Sequence, residues 1–223
     1  MSAFSQASFS VSAGTLEQVP PDGPPEVVFA GRSNVGKSSA INALAGRRRL
    51  AFVSKTPGRT QTINFYDLGA TGRLVDLPGY GYARVPDAVR TQWDALVGGY
   101  LRTRASLAAA VLIMDVRHPF TPQDLAVLKW LEPLGIKLLV LLSKCDKLSR
   151  AQRRTALADG RRRLAACAPG AELRLLSSLS REGVAEVRAL LDAWLREAAT
   201  ARENKKAPGK GDVNRGLKRL NQN

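Results

Sequence analysis

The sequence predicts an α/β fold, in which a mostly parallel sheet of six strands carries helices on both faces. From residue 27 onward, short apolar runs alternate with segments of helical period, a pattern typical of a parallel sheet covered on both sides. The runs at 64–68 and 73–76 are only four residues apart, which is too short for a crossover helix. They are therefore predicted to form a hairpin, so that one strand of the sheet is antiparallel.

The predicted elements follow one another along the chain with short connections. Residues 1–25 are rich in Ser and Pro and are predicted to be an N-terminal arm, followed by a single domain at 26–199. The basic segment 200–223 is predicted to be a disordered tail. The predicted strands occupy residues 27–30, 64–68, 73–76, 107–115, 137–143 and 173–177. The predicted helices occupy residues 37–45, 87–102, 121–134, 150–166 and 183–199.

A strong excess of positive charge points to a polyanionic partner. Lys and Arg number 34 against 19 Asp and Glu, a formal net charge of +15 that favours RNA, DNA or an acidic membrane surface. Two cysteines cannot make a disulfide framework, which fits a reducing compartment. The N-terminus lacks a signal-peptide pattern, and the longest apolar runs are too short to span a bilayer. We therefore expect a cytoplasmic monomer without stable membrane insertion.

Residues 31–38, GRSNVGKS, match the phosphate-binding loop pattern G-x-x-x-x-G-K-[ST]. The motif follows a predicted strand and opens a predicted helix, so a chance Gly-rich turn is a poor explanation. In such a loop the backbone N–H groups surround the phosphates, and Lys37 neutralises the β- and γ-phosphate oxygens. The Ser38 hydroxyl is expected to bind Mg²⁺. The loop therefore predicts a nucleoside triphosphate bound with Mg²⁺.

A second motif, Asp76-Leu-Pro-Gly79, begins at the last residue of a predicted strand. A carboxylate at a strand end beside the phosphate loop can hold a water molecule on Mg²⁺, and the Gly79 N–H can meet the γ-phosphate. A phosphate-sensing switch also needs a hydroxyl that reaches Mg²⁺ only in the triphosphate state. Thr60 is the preferred residue for this role, and Thr56 is the alternative.

A third motif, Ser143-Lys-Cys-Asp146, directly follows an apolar strand and resembles the [NT]-K-x-D box that reads a base. Asp146 would accept hydrogen bonds from guanine N1–H and the 2-amino group, whereas adenine would present a lone pair to the carboxylate. The stem of Lys144 would lie along the base. A capped helix start with a solvated Lys is the plainer alternative. Ser177-Ser-Leu179 is a weaker candidate for closing the base site with backbone N–H groups.

Six stretches together resemble the EngB (YihA/YsxC) family of bacterial GTPases, within the TrmE–Era–EngA–EngB–septin group. They are GRSNVGKSS, SKTPGRTQTINF, RLVDLPGYGYARV, IMDVRHPFTPQD, SKCDKL and SSLSREG, in order between residues 26 and 195. The resemblance implies a Ras-like GTPase domain that uses Mg²⁺ and hydrolyses GTP to GDP and phosphate. It also implies a role in assembling the large ribosomal subunit, on which cell division and septation depend.

The resemblance also assigns residues to the nucleotide and the metal. Mg²⁺ falls on Ser38 and Thr60, with Asp76 acting through water. Two departures from the family pattern are small: Ser143 keeps the hydroxyl of the usual Thr, and Cys145 in place of Ala adds an oxidisable thiol beside the base. The nucleotide contacts are assigned to Gly31, Arg32, Ser33, Asn34, Val35, Gly36, Lys37, Ser38, Gly58, Arg59, Thr60, Gln61, Thr62, Asp76, Leu77, Pro78, Gly79, Ser143, Lys144, Cys145, Asp146, Leu176, Ser177 and Ser178.

Tyr80 follows Gly79 at the place where many hydrolysing switches carry a glutamine that orients water. A phenol is a poor base at neutral pH, so catalysis is expected to come from stabilising charge between the β- and γ-phosphates. The catalytic candidates are therefore Lys37, Asn34, Thr60 and Gly79. The side-chain oxygen of Asn34 is a candidate ligand for K⁺ at that place. A cationic group supplied by a ribosomal partner is an equal alternative.

Three functions compete at this point: a GTPase switch on an assembling ribosomal subunit, a GTP-dependent scaffold at the division site, and a P-loop phosphotransferase. The base box argues against the third, and the positive charge favours the first over the second. The arginine runs at 47–49 and 161–163 are candidates for RNA contact, although a solvated helix face is the plainer interpretation of 161–163. Tyr80 and Tyr82 either stack on RNA or pack beneath the switch. His118, the single histidine, is interpreted as structural.

Overall fold

The computed structural model describes residues 2–51, 62–81 and 87–206, and it gives residues 87–93, 205 and 206 as backbone only. The strands are β1 Ser8–Ala13, β2 Glu26–Gly31, β3 Ile63–Asp67, β4 Arg73–Asp76, β5 Leu107–Asp115, β6 Lys137–Ser143 and β7 Glu172–Leu176. The helices are α1 Lys37–Ala45, α2 Asp87–Thr103, α3 Pro122–Leu131, α4 Arg150–Cys167 and α5 Val184–Lys206. Within the described residues the strands form one sheet in the order β1-β3-β4-β2-β5-β6-β7.

β3 is the strand that runs against the others. It pairs antiparallel with both β1 and β4, whereas β4, β2, β5, β6 and β7 pair in parallel. The predicted α/β class, with a mostly parallel sheet and one antiparallel strand, is therefore confirmed. In the register of the sheet, Phe29 of β2 lies between Asp76 of β4 and Val111 of β5. The carboxyl ends of the central strands consequently meet at one edge, where ligands of open α/β sheets bind.

The predicted count of six strands is wrong, because the N-terminal segment adds a seventh. β1 hydrogen-bonds to β3 on the side away from β4, with a register shift between Phe9 and Val11. Its sequence SFSVSA is exposed along most of its length, so the serines hide the apolar signal of a strand. Just before β1, Phe4 in the 3₁₀ helix Ala3–Gln6 is fully buried. Part of the predicted arm is therefore built into the fold.

Helices occur where they are predicted, but α3 and α5 end three or more residues away from their predicted ends. α3 ends at Leu131 and continues as the 3₁₀ helix Glu132–Leu134. α5 runs past residue 199, the predicted end of the domain, to Lys206. Arg202 anchors this extension, since its guanidinium donates hydrogen bonds to the carbonyls of Gly23 and Ala105, the latter at 2.8 Å. The first residues of the predicted tail are therefore helical, and residues 207–223 lie outside the described part of the chain.

The core lies on both faces of the sheet. Along β2, Val28 and Ala30 face one apolar layer while Val27 and Phe29 face the other, as the alternation of a strand requires. Residues of α2, α3 and α4 cover the first layer, and residues of α1 and α5 cover the second. This confirms helices on both faces and leaves β2 buried at the centre of the sheet. Among the described residues, no helix combines the length and the apolar character needed to cross a membrane.

A buried ionic cluster fixes the amino end of β2, opposite the ligand edge. Glu26 is fully buried and accepts hydrogen bonds from Tyr100 Oη and from Arg104 Nε, both at 2.7 Å. Arg104 Nη1 also donates to the Pro20 carbonyl at 2.7 Å. A buried carboxylate is tolerated when it is paired and hydrogen-bonded in this way. The cluster ties the residues before β2 to the end of α2 and so fixes the strand that leads into the phosphate loop.

Candidate functional site

The loop between β2 and α1 has the backbone conformation of a phosphate cradle. Asn34 has a φ of 62° and Gly36 a φ of 98°, both in the left-handed region. A Cβ on Gly31 would lie 2.9 Å from the Ile113 carbonyl oxygen of β5, so the first position of the loop needs glycine. The Gly36 carbonyl accepts the Ala40 N–H at 2.8 Å, which begins the hydrogen bonds of α1. Backbone N–H groups at such a helix start are suited to bind an anion.

Lys37 begins α1, Asp76 ends β4, and their side chains form an ion pair. Both groups are largely buried, with 11% of the Lys37 side chain and 7% of the Asp76 side chain exposed. Ser38 follows Lys37 at the start of the same helix. A carboxylate that already holds a cation, with a hydroxyl-bearing residue next to that cation, provides the oxygen donors that Mg²⁺ prefers. The residues present therefore fit a magnesium ion at this edge of the sheet.

The D-x-x-G segment continues from β4 onto the phosphate loop. The Leu77 N–H donates to the Phe29 carbonyl at 3.0 Å, and the Ser33 N–H donates to the Tyr80 carbonyl at 3.0 Å. A Cβ on Gly79 would lie 3.4 Å from the Ser33 Cα. The backbone of Gly79 therefore lies directly against the phosphate loop, beside the expected position of a terminal phosphate.

Tyr80 is buried, and its hydroxyl is bonded to α3. Tyr80 Oη donates to Asp124 Oδ1 at 2.9 Å, and only 7% of the residue is exposed. Burial, reinforced by the Asp124 carboxylate, raises the pKa of the Tyr80 hydroxyl. Arg32 Nε of the phosphate loop lies 3.4 Å from the same carboxylate oxygen. Tyr80 therefore packs in the core against α3 and is not exposed for stacking on RNA, whereas Tyr82 lies outside the described residues.

Ser143 connects the base box to the phosphate loop. Its buried hydroxyl lies 2.6 Å from the Val35 carbonyl oxygen and 3.0 Å from that of Met114. Lys144 has a φ of 60° and reaches back, so that its Nζ donates to the Asn34 carbonyl at 2.7 Å. The two motifs, more than a hundred residues apart, are therefore joined by hydrogen bonds. A hydroxyl at position 143 makes this connection directly.

A carboxylate with no role in the sequence prediction holds Lys144 from the other side. Asp115 ends β5, and its Oδ2 lies 3.0 Å from Lys144 Nζ and 2.7 Å from Arg117 Nη2. Hydrogen bonds from Arg117, together with Lys144, hold the pKa of the Asp115 carboxyl well below its usual range. A signal was present in the sequence, since Asp115 ends an apolar strand just as Asp76 does.

Asp146 is positioned by the loop that follows β7. Ser177 Oγ donates to Asp146 Oδ1 at 2.7 Å, and this hydrogen bond lowers the pKa of the Asp146 carboxyl. The carboxylate therefore stays ionised at neutral pH, ready to accept hydrogen bonds. Ser177 was expected to offer its backbone N–H to the base, but that group donates to the Glu182 carbonyl at 3.0 Å. Ser177 thus acts on Asp146 through its side chain, which leaves Ser178 and Leu179 as the candidate backbone donors.

A cavity of about 680 Å³ opens between the phosphate loop, α1 and the base box. Its volume lies within the range of small-molecule sites. Arg47 and Arg48, which the sequence offered as RNA contacts, lie in the wall of this cavity. The wall of the cavity also contains Val35, Gly36, Ser143, Lys144, Asp146 and Ser178.

Cys145 and Leu176 are buried beneath the site. Neither is more than 1% exposed. Burial raises the pKa of the Cys145 thiol to about 11, so the reactive thiolate is almost absent at neutral pH. The expectation of an oxidisable thiol beside the base is therefore wrong. The sequence showed a small side chain next to Asp146, but it could not show that this side chain faces the core.

The remaining predicted residues belong to the segment before β3. Thr56, Gly58, Arg59, Thr60 and Gln61 lie outside the described residues. Thr62 is described, and its hydroxyl donates to Asn64 Oδ1 at 3.2 Å. Asn64 is the register partner of Asp76, which puts Thr62 at the same edge of the sheet. The predicted residues that the structure brings together at this edge are Gly31, Arg32, Ser33, Asn34, Val35, Gly36, Lys37, Ser38, Thr62, Asp76, Leu77, Pro78, Gly79, Ser143, Lys144, Asp146, Ser177 and Ser178.

Solved structures share this fold. A crystal structure of a probable GTP-binding protein EngB superimposes with a TM-score of 0.61 at 24% identity, covering 77% of this chain and 99% of that one. Era, solved with MgGDPNP and nucleotides 1506–1542 of 16S ribosomal RNA, gives a TM-score of 0.60 at 19% identity. That comparison covers 78% of this chain and 57% of Era. Both likenesses support a Ras-like P-loop GTPase fold.

Comparisons of sequence give the family. Residues 26–144 match a family described as 50S ribosome-binding GTPase. The probable GTP-binding protein EngB of Aromatoleum aromaticum is 52% identical over 195 residues, which cover 87% of this chain and 90% of that protein. The probable GTP-binding protein EngB of Dechloromonas aromatica is 48% identical over 213 residues, covering 95% and 97%. At this identity over nearly the full length, the chain belongs to the EngB family of GTP-binding proteins and is a GTPase.

Proposed function

We propose that this GTPase is a GTP-controlled switch in the assembly of the large ribosomal subunit, and that normal cell division and septation depend on that role. The observation that carries the proposal is the match of residues 26–144 to 50S ribosome-binding GTPases, in a chain with a net charge of +15. Era, which shares this fold, was solved in complex with nucleotides of 16S ribosomal RNA, so the fold is compatible with binding ribosomal RNA. The proposed partner is ribosomal RNA within the large subunit, met in the cytoplasm by a monomer.

GTP is proposed to bind with its base in the 680 Å³ cavity and its phosphates at the loop before α1. Lys37 neutralises the β- and γ-phosphate oxygens, and the Gly79 N–H contacts the γ-phosphate. The hydroxyls of Ser38 and Thr60, with Asp76 through water, would hold Mg²⁺, which when bound neutralises charge between the two phosphates. Because Lys37 and Asp76 are paired in the structure, nucleotide binding must separate them. The loss of this buried pair is offset by the new phosphate and metal contacts.

Asp146 is proposed to read guanine. In Asp146→Asn the amide can donate to the carbonyl that xanthine carries in place of the 2-amino group. The affinity for GTP should fall by about 10²-fold, since a hydrogen bond to a charged group is lost, while that for xanthosine triphosphate should rise. Competition between the two nucleotides measures this exchange. Ser177→Ala is the matched control. It removes the hydrogen bond that positions Asp146, so it should lower the affinity for GTP without creating a preference for xanthosine triphosphate. An Asp146→Asn variant that still prefers GTP would contradict the proposal.

Hydrolysis is proposed to rely on charge and not on a residue that orients water. The Tyr80 hydroxyl donates to Asp124, so it is not available to position water at the γ-phosphate. Lys37 and the Gly79 N–H stabilise the developing charge, with Thr60 completing the closed site. The exposed side chain of Asn34 is the candidate ligand for K⁺, with a cationic group of the ribosome as the alternative.

Single-turnover GTP hydrolysis in KCl, NaCl and CsCl at equal ionic strength separates these two sources of charge. The comparison is made for wild type and Asn34→Ala, with and without large ribosomal subunits. Acceleration by K⁺ that Asn34→Ala removes would support the cation site. Hydrolysis that needs the ribosome, and is the same in all three salts, would place the missing charge on the partner.

The alternative function is a GTP-dependent scaffold at the division site, with ribosomal effects secondary. Co-sedimentation with purified large subunits in GTP and in GDP distinguishes the two. The proposed switch requires tighter association in GTP than in GDP. Equal or absent association in the two nucleotides, with a GTP-dependent division partner, would favour the scaffold.

A further inference from the structure

Helix α4 presents three arginines along one exposed stripe. Arg150, Arg154 and Arg161 are all exposed, and successive residues of an α-helix are rotated by about 100°. The three side chains therefore fall within about 40° of one another around the helix, over a length of roughly 16 Å. We call Arg150, Arg154 and Arg161 the arginine stripe.

The arginine stripe has no partner within the described part of the chain, unlike the other arginines of α4. Arg153 pairs with Glu182, and Arg162 pairs with Asp159 at 2.6 Å. Arg163 stacks over the Phe120 ring, with its guanidinium carbon 4.8 Å from the ring centroid. The run at 161–163, which looks like a cationic patch in the sequence, therefore contributes only its first member. The cationic patch is therefore formed by residues that share one face of the helix, and not by arginines that are consecutive in the sequence.

The positions of the stripe arginines are electrostatically unfavourable for the stability of an isolated helix. Arg150 is the first residue of α4, where the positive end of the helix dipole disfavours a cation, and the first turn carries no acidic residue. Arg150 and Arg154 are four residues apart, a spacing at which like charges repel. Local rules are broken in this way most often at functional surfaces. The placement favours a role in binding an anion over a role in folding.

The surroundings of the stripe fit a phosphate backbone. Ala158 and Ala165 are exposed beside it, and such small side chains let a polymer approach the helix closely. Leu157 packs towards the core, and α4 contains no aromatic residue. A helix that binds a membrane surface buries an apolar face with aromatic or leucine anchors, which this stripe lacks. RNA is therefore the better match to the exposed cations.

The amino end of α4 is also tied to the base box. Arg153 Nε, in the second turn of the helix, donates to the Cys145 carbonyl at 2.8 Å and to the Leu148 carbonyl at 3.0 Å. The stripe thus begins only four residues after Asp146. The amino end of α4, where the stripe begins, is therefore hydrogen-bonded to the segment that carries the base box.

We propose that the arginine stripe is a docking surface for the phosphate backbone of RNA. The identity of that RNA as ribosomal rests on the proposed function, whereas the phosphate contact itself does not. Each arginine is assigned one phosphate contact. Release of counterions should then contribute about −0.7 to −0.9 per contact to the slope of log K against log salt.

The test compares two variants that lose the same charge. Arg150→Gln, Arg154→Gln and Arg161→Gln are combined in the stripe variant. The control variant combines Arg102→Gln, Lys129→Gln and Arg196→Gln, three exposed cations on other helices. Binding to large ribosomal subunits, to a ribosomal RNA hairpin transcript and to phosphatidylserine vesicles is measured from about 50 to 300 mM salt, an interval set by the usual salt dependence of such complexes.

The stripe variant should show a slope shallower by about 2 to 3 and an affinity for the transcript at least about tenfold lower than the control variant. Its GDP affinity should equal that of wild type, and its thermal midpoint should be equal or higher, because unfavourable charges have been removed. A structural role for the arginines would instead lower the midpoint.

Equal binding of the stripe and control variants to RNA would contradict the proposed role of the arginine stripe in RNA binding. It would leave the proposed function intact. Binding of wild type to the transcript but not to subunits, with loss in the stripe variant, would support the stripe and overturn the proposed function. Stripe-dependent binding to vesicles without binding to RNA would overturn RNA as the partner.

Discussion

The hydrogen-bond partner of the Tyr80 hydroxyl indicates a structural role for this side chain. It occupies the position of a water-orienting glutamine, yet its hydroxyl donates to the buried Asp124 carboxylate at 2.9 Å. We predict that Tyr80→Phe lowers the free energy of unfolding by about 1.5–3 kcal/mol, the usual value of a hydrogen bond to a charged group. Single-turnover hydrolysis of GTP by the folded variant should fall less than about tenfold. Urea unfolding and rapid-quench kinetics measure the two effects.

Tyr66→Phe is the matched control for this substitution. Tyr66 is only 2% exposed, and its hydroxyl makes no hydrogen bond to a described residue. Its replacement should change stability by less than that of Tyr80. A hundredfold loss of hydrolysis in Tyr80→Phe at unchanged stability would give the phenol a direct role in catalysis.

The two cysteines should differ in reactivity and in their effect on alkaline stability. Cys145 is fully buried with a pKa raised to about 11 from an ordinary 9.0, whereas Cys167 is exposed. Iodoacetamide at pH 8 should modify Cys167 alone in the folded protein. The unfolded Cys145 thiol loses its proton first as the pH rises, so the folded state becomes less stable between pH 9 and about 11.

Thiol mapping by mass spectrometry and urea titrations at pH 8, 9, 10 and 11 check these two effects. In Cys145→Ala the decrease of stability above pH 9 should be smaller than in wild type. Rapid modification of Cys145 at pH 8 without unfolding would show that the thiol is not buried in solution.

At the scale of elements, the junction between β7 and α5 depends on one glycine. Gly183 has a φ of 75°, and a Cβ on it would collide with the Leu175 carbonyl oxygen. We predict that Gly183→Ala lowers the free energy of unfolding by about 3 kcal/mol or more, because strain and collision add. The same junction carries Ser177 and Ser178, so GTP affinity should fall as well. Chemical unfolding and nucleotide titration measure the change.

Gly135→Ala is the control that separates strain from collision. Gly135 also has a positive φ, 63°, but a Cβ on it would meet nothing within 4 Å. Its replacement should cost only about 1–2 kcal/mol, the penalty for a left-handed backbone. Equal losses in the two variants would mean that the collision at Gly183 is relieved by a small backbone shift.

Elements with buried apolar residues on both faces could be predicted from the sequence, and exposed edge elements could not. β5 and β6 are continuous apolar runs, and no helical period competes with that pattern. β1 presents mostly exposed residues with alternating serines, so its order comes from pairing with β3. The last turns of α5 read as a charged tail, and their order depends on Arg202 reaching two distant carbonyls.

Some features of the candidate site could likewise be predicted from the sequence, and others could not. The phosphate loop and the D-x-x-G and base motifs were predictable because they act through backbone spacing or through one ionised group. The bond from Ser177 to Asp146 and the support of Lys144 by Asp115 were not, since both depend on which strand ends lie next to each other. The arginine stripe likewise appears only when helical rotation separates Arg161 from its two paired neighbours.

At the scale of the whole molecule, the end of α5 at Lys206 determines which C-terminal deletion leaves the folded domain intact. Deletion of 207–223 removes four basic residues and one acidic residue and leaves α5 intact. This deletion should not change the free energy of unfolding or the GDP affinity. Deletion of 200–223 also removes Arg202 with its two hydrogen bonds, and should lower stability by about 1–2 kcal/mol.

Urea unfolding of both deletions, with Arg202→Ala in the full chain as the control, measures this difference. Arg202→Ala should reproduce most of the loss without removing the segment. If the two deletions are equally stable, the end of α5 contributes nothing to the fold. RNA titrations with the shorter deletion then report on residues 207–223 alone.

The N-terminal residues 2–13 cover one edge of the sheet and fill part of the core. Their covalent connection to the rest of the domain is the chain at residue 14. β1 pairs with β3, and Phe4 is buried among core residues of α1 and α5. A chain that starts at residue 14 would therefore have both an open strand edge and an empty pocket for an aromatic ring. A synthetic peptide of residues 2–13 can satisfy both by strand addition. The fold is thus suited to splitting into two fragments whose reassembly, followed with a fluorophore on the peptide, reports that the GTPase domain has folded.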